Sequence, residues 1–343
     1  MKLTITSLLL FFAVAFSQAQ EFKTPLDYLN YISKETDNIS KATWKYTSAV
    51  AHSKSARKID ATRKSLLKNY DNAQKKIEAL KDGYKGDVEY RDQMLSYLTI
   101  SKQMINEEYG KIIDLQEVAE QSYDYMEAYI MMRDLVNEKI SNEVDKINAA
   151  QHTFGNKYNI QISEDTSELG KKMKISDEVF ENRTQLYLIF FKVNFTEEKM
   201  MQAVESKDLN AIQQNANALA QYVDEGYVKL KAFKAYKNDL MLVNVTKKYL
   251  DFCKKEAAEF SPGVVSFLML NQKFEESKTA MDNKSESDRT KAEIDNFNKL
   301  VKDVNKEIGN YNNLNIKFNN DRKFAIENWN YTADNFVSKY VPE

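Results

Sequence analysis

Apolar residues recur every three or four positions along almost the whole chain, the spacing that lays a stripe down one side of an α-helix. Leu26, Leu29 and Ile32 begin the first stripe. Thr24-Pro25 before it supplies an N-cap hydroxyl and a first-turn residue whose missing N–H costs nothing, which predicts a helix from Pro25 to about Ser53. Ser55 caps a second helix through Leu66, Leu67, Ile77 and Leu80 that ends before Gly83. Tyr84-Lys85-Gly86-Asp87 reads as a turn, with Asp87 capping a third helix. Gly110 is the next weak point, helix pattern then continues to about Phe154, and Gly155 to Ser163, with Asn156 and Asn159, is the longest break of the first half. After the polar loop Asn283 to Asp288 a last helix is expected from about Arg289 to Tyr340.

On that last helix Phe297, Val301, Val304, Ile308, Tyr311, Phe318, Ala325, Trp329 and Phe336 follow steps of four and three, a heptad seam interrupted by Asn315, Arg322 and Thr332. Leu300, Leu314, Ile316, Phe324 and Ile326 widen the stripe, as a bundle helix needs. About 50 residues would span roughly 75 Å. Packing along the other helices is the expected arrangement, and an arm for a partner or for self-association is the alternative.

The second half repeats the first. Tyr84-Lys85-Gly86-Asp87-Val88 matches Tyr236-Lys237-Asn238-Asp239-Leu240, Tyr97-Leu98 matches Tyr249-Leu250, and Leu67 with Tyr70 matches Leu219 with Tyr222, all 152 residues apart. Shifted by one, Ser53-Lys54-Ser55 matches Ser206-Lys207-Asp208, and Gly110 falls opposite Pro262. Three of the matches lie on helix boundaries, which argues for an ancient duplication. The expected organisation is a leader over 1–19, helical units over 20–155 and 163–290, and the long C-terminal helix over 289–343.

Composition narrows the fold class. The chain has 343 residues, with eight Gly and three Pro, where average usage would give about 24 and about 17. Sheets and Gly-rich nucleotide loops need more of both, so the fold is expected to be all-α. Apolar residues are 43% and charged ones 29%, a balance for amphipathic helices with a real core rather than for disorder.

Lys2, the apolar run Leu8–Phe16 and Ser17-Gln18-Ala19 read as a secretory signal cleaved after Ala19. The run is too short for the roughly 20 residues of a spanning helix, and no other transmembrane segment is expected. Removing residues 1–19 takes away only Lys2 among the charges, leaving 48 basic residues of the 49 against 51 acidic, a net −3. No Cys stands at the cleavage point for lipid attachment, so the product is expected at the cell surface, in the periplasm or secreted, and not as a lipoprotein. Cys253 is alone, so it forms no intrachain disulfide and is expected to be a small buried residue. The near-neutral balance offers no basic footprint for nucleic acid.

No constellation of catalytic or metal-binding residues stands out in the chain. Di-iron bundle sites need Glu-x-x-His, but Ala49 and Ala149 stand three residues before His52 and His152. His52 is expected to cap carbonyls and His152 to lie at the surface. One Cys and two distant His exclude zinc-finger spacing, and calcium loops are missing. Glu107-Glu108 and Glu197-Glu198 diverge by about 100° around a helix and read as solvated acids. No Ser sits in a nucleophile elbow. No catalytic, cofactor-binding or metal residue is assigned, and the protein is expected not to be an enzyme. The 20 Tyr and 18 Phe, notably Tyr123, Tyr125 and Tyr129 around Met126, Met131 and Met132, and the block Tyr187–Phe191, read as bundle filling, with a contact surface as the alternative. The eight Asn between Asn310 and Asn330 form either a recognition strip or a compositional bias.

Ala49-Val50-Ala51-His52-Ser53-Lys54, Glu120-Gln121-Ser122-Tyr123-Asp124, Tyr187-Leu188-Ile189-Phe190-Phe191-Lys192 and Val341-Pro342, together with the leader, resemble an uncharacterised family of bacterial surface proteins. That family is named after a leptospiral member and is common in Bacteroidetes. The resemblance implies export and surface exposure, and carries over no functional residue. The expectation is an exported, adhesin-like binding protein of the envelope with an unknown protein or envelope partner. A self-assembling spacer is the alternative, and a ligand carrier with a bundle cavity a third reading.

Overall fold

The computed structural model describes residues 22–53, 55–108, 123–163 and 167–343. These form nine α-helices: α1 Pro25–His52, α2 Ala56–Glu78, α3 Glu89–Gln103, α4 Tyr123–Lys157, α5 Glu168–Ser206, α6 Leu209–Ala232, α7 Met241–Lys255, α8 Ser261–Asp282 and α9 Lys291–Tyr340. Among the described residues the only β pairing is an isolated bridge, Tyr84 to Asp87. The protein is all-α.

Helix starts follow the caps. The Thr24 hydroxyl accepts from the Asp27 amide at 3.1 Å, and Asp27 reaches back to the Thr24 amide. Asp208 accepts from the Ala211 amide at 3.0 Å. The last helix begins two residues later than expected, because Thr290 and Glu293 form a capping box. Two expected boundaries are corrected. Asp87 is not the cap of α3, whose N-cap is Val88. The break after the first half starts later than Gly155, which lies inside α4; a Cβ there would come within 2.8 Å of Ile162, so the helix end folds back over a bare Cα. Asn159, at φ +56°, then ends α4 in the left-handed conformation. The leader and Gly110 lie outside the described residues.

Two compact units are present. One comprises the described parts of Met1–Thr43, Arg63–Glu108 and Leu135–Glu164; the other, those of Trp44–Thr62, Tyr109–Asp134 and Asp165–Glu343. The units are therefore built from interleaved stretches and not from consecutive halves. The first buries Tyr28, Ile32, Leu66, Ile77, Met94 and Phe154. The second is centred on Trp329, which stacks on Phe190 at 4.2 Å and donates its indole N–H to the Thr246 hydroxyl at 3.0 Å.

The halves of the chain share a local plan. Helices α3 and α7 each have fifteen residues, and each runs directly into a five-residue π turn, Met104–Glu108 or Glu256–Phe260, all displaced by 152 positions. Buried positions of α2 and α6 correspond at 153, as in Leu66 with Leu219, Tyr70 with Val223 and Ala73 with Gly226. Those of α1 and α5 correspond at 154, as in Ile32 with Leu186, Ile39 with Val193 and Ala49 with Ala203. One residue is lost at each connection. The expected match of Leu67 and Tyr70 with Leu219 and Tyr222 is thus one residue out of register, because Leu66 takes the core position and Leu67 is only half-buried.

The shared turn has a clear physical basis. Lys85 and Gly86 have φ of 51° and 87°, and Lys237 and Asn238 have 48° and 60°. Two successive left-handed residues make a type I′ turn, closed by Asp87 N–H to Tyr84 O at 3.0 Å and by Asp239 N–H to Tyr236 O at 2.9 Å. Gly and Asn are the residues that enter this region most easily, which is why they stand opposite each other. The last turn of a long helix then clamps each turn. Lys157 binds Asp87 at 2.7 Å, and Lys339 binds Asp239 at 2.8 Å. Tyr158 stands edge-on to Tyr84 at 5.1 Å, and Tyr340 to Tyr236 at 5.2 Å. Phe154 and Phe336, four residues before each of those tyrosines, complete the two clusters.

Gly86→Asn is expected to change stability by less than about 0.5 kcal/mol, whereas Gly86→Val should cost about 1–2 kcal/mol because a β-branched residue is strained at positive φ. Urea denaturation distinguishes them, and equal losses would mean that left-handed backbone is not what selects Gly here.

Candidate functional site: a buried carboxylate pair at the root of a helical arm

Helix α7, the second π turn and α8 form one continuous helical path from Met241 to Asp282. The π turn inserts an extra residue just ahead of Pro262, whose ring removes an N–H donor from the ladder. Glu256 lies on the buried stripe of Tyr249, Cys253, Phe260 and Val264 and is fully inside. Glu197 of α5 is buried as well, at 1% exposure, because it lies on the same stripe as Leu186, Phe190, Val193 and Met200. This corrects the expectation of a solvated acid; only its neighbour Glu198 is exposed.

Arg322 of α9 meets both carboxylates. Its Nε donates to Glu197 and its Nη2 to Glu256, while Nη1 donates to Asn319. Nη2 also lies 3.0 Å from Met201 Sδ, and the guanidinium carbon lies 5.8 Å from the centre of the Phe260 ring. Three elements are tied by one side chain.

The second oxygen of Glu256 is buried and accepts no hydrogen bond. Burial, reinforced by the Glu197 charge, pushes Glu256 up to about 8 against the pull of Arg322. Burial also raises Glu197, although Arg322 opposes it. Both carboxyls are thus pushed toward their protonated forms, and one proton shared between them leaves the group with Arg322 without net charge. Lys157 with Lys339 and Tyr158 with Tyr340 set α4 and α9 at a displacement of 182; with this and those of the other elements, the first half has Thr43, Met104 and Ile140 at the three corresponding positions. The charged group belongs to the second half alone.

A long helical hairpin begins beside it. Phe318 is buried one turn before Arg322, yet from Met269 of α8 to Lys317 of α9 no residue is buried. Along this hairpin Phe267 stacks on Tyr311 at 4.2 Å, just before the stretch begins, and Phe274 on Phe297 at 5.7 Å within it. The first part of the heptad seam is thus occupied by α8. The remainder, with Phe318, Trp329 and Phe336, enters the core. Arg322 and Thr332, two of the polar intrusions, face inward; Asn315 bonds the Tyr311 carbonyl on its own helix.

The other singled-out residues fall as follows. His52 Nε2 lies 3.2 Å from the Pro342 carbonyl, and His152 is exposed. Cys253 is fully buried, as expected, and burial pushes its thiol well up. Met126 is buried against Phe191, whereas Met131 is exposed. The side chains of Glu107, Glu108, Tyr123, Tyr125, Tyr129 and Met132 lie outside the described residues. Most of the Asn between 310 and 330 are exposed. Among the described residues no three of His, Cys, Asp and Glu cluster as metal ligands, and no helix is long and apolar enough to cross a membrane. No protein-family model, curated protein or solved structure matches the chain.

Because Glu256 has a folded pKa of about 8 and an unfolded value near 4.3, the folded state keeps a proton that the unfolded chain releases. The stability this group contributes is complete below the unfolded value and is lost as pH rises through about 8. Unfolding free energy should therefore fall on the order of 2 kcal/mol between pH 6 and pH 9, and Glu256→Gln should flatten that fall. Arg322→Met, which strands the carboxylates, should cost about 3–5 kcal/mol. A wild type equally stable in urea at both pH values would contradict this picture.

Proposed function

We propose that the chain is an exported, non-enzymatic protein of the cell envelope or surface, built from a duplicated helical unit, that binds a macromolecular partner through the arm of its second half. The arm carries this reading. Between residues 269 and 317 it contains nine basic and nine acidic residues, so it offers short-range polar contacts rather than a long-range field for anionic partners. Its own rings close its apolar seam, which lets it stand in water without a partner. Export is supported by Lys2, the run Leu8–Phe16 and Ala19.

Self-assembly is a second reading, favoured by Ile316, Phe324 and Tyr331, which are 61%, 70% and 68% exposed on α9. Sedimentation at increasing concentration separates the two, because a protein that stays monomeric cannot be an assembling spacer.

The partner reading is tested with residues 20–343 and with a variant in which residues 271–308 are replaced by a short Gly-Ser turn. Each is immobilised and exposed to envelope and matrix extracts. The full chain should retain a saturable partner that the shortened chain, equally folded by circular dichroism, releases. Equal retention by both would remove the arm from the function.

A further inference from the structure

The two halves differ where α5 begins. An open cleft of about 560 Å³ lies between the first part of α5, the end of α6 and the clamped turn, lined by Glu178, Glu181, Asn182, Phe233, Lys234 and Tyr236 among others. Ligand pockets commonly fall in this size range. With the displacements established above, the residue corresponding to Asn182 is Tyr28, and the one corresponding to Tyr236 is Tyr84.

In the first half that space is filled by the protein's own rings. Tyr28 is fully buried and lies 5.9 Å from Tyr84 and 5.3 Å from Phe154. Phe22 closes over it edge-on, 5.2 Å from Tyr28 and 5.5 Å from Tyr31. In the second half Asn182 takes the place of the ring, and its amide donates to the Lys234 carbonyl at 3.1 Å. Tyr236 keeps Phe336 and Tyr340 on one side and faces the cleft on the other.

We propose that this cleft binds an aromatic side chain of a partner polypeptide, next to a basic residue. The ring replaces the one that Tyr28 supplies in the first half, against Tyr236 and Phe233. The charge follows from the rim, where the carboxylates of Glu178 and Glu181 outnumber the one ammonium, Lys234. The proposal deepens the partner-binding reading and rests on it only in taking the occupant to be a polypeptide. The cleft lies outside the arm, so the two fail separately.

The test uses residues 20–343 and three acetylated, amidated tetrapeptides, Gly-Phe-Lys-Gly, Gly-Phe-Glu-Gly and Gly-Leu-Lys-Gly, titrated by NMR. Gly-Phe-Lys-Gly should bind saturably, and the other two at least about tenfold more weakly. Asn182→Tyr should abolish binding by restoring the ring, and the variant shortened in the arm should bind as the full chain does. Should Asn182→Tyr not fold, the double variant Glu178→Gln with Glu181→Gln changes only rim residues, and should raise Kd roughly tenfold. Absence of binding, equal binding of the Phe-Glu peptide, or undiminished binding to either variant would overturn the proposal. Loss of binding on shortening the arm would overturn the cleft as the site.

Discussion

Taking a guanidinium out of water costs several kcal/mol, so Arg322 can lie among α5, the π turn and α9 only while Glu197 and Glu256 meet it. Two buried carboxylates beside one arginine would in turn repel each other, and a proton retained on Glu256 removes that conflict. The group fixes how α9 is rotated about its axis. With Arg322 pointing in, Phe318, Trp329 and Phe336 face the core and Phe324 and Tyr331 face out. The same contact marks where the core ends and the arm begins.

The C-terminal end of α9 is held by a different device. Asp239 accepts from Lys339, Tyr340 and the Met241 amide, and these hydrogen bonds, Lys339 first, hold it at about 2. In the first half burial works against Asp87, but Lys157 and Tyr158 outweigh it and keep its pKa low. Both devices serve a fold with few glycines. Where the chain must turn sharply, ionic and aromatic contacts stabilise strained backbone that Lys85 and Lys237 would otherwise avoid.

Much of this was legible in the chain because it rests on periodicity and on caps. The seam from Phe297 to Phe336, the Thr24-Pro25 start, the recurrence of Tyr-Lys-x-Asp and the burial of Cys253 are local patterns with local causes. What the sequence hid depends on partners distant along the chain. Glu197 has the position of a core residue and the chemistry of a surface one, and chemistry misled; its place on the stripe of Phe190, Val193 and Met200 was the available signal. The role of Asp87 was hidden because its partner, Lys157, lies 70 residues away. The cleft beside Tyr236 could not be read at all, since it shows only when Asn182 is set against Tyr28 in the register that burial defines.

The root formed by Arg322 divides α9 into a part that opens only when the protein unfolds and a part that opens alone. Native-state hydrogen exchange resolved along α9 measures this directly. Amides from Phe318 to Tyr340 should exchange with the free energy of global unfolding, and those from Lys291 to Asn310 much faster, through local opening. Uniform protection along the whole of α9 in the isolated protein would contradict an arm rooted at Arg322.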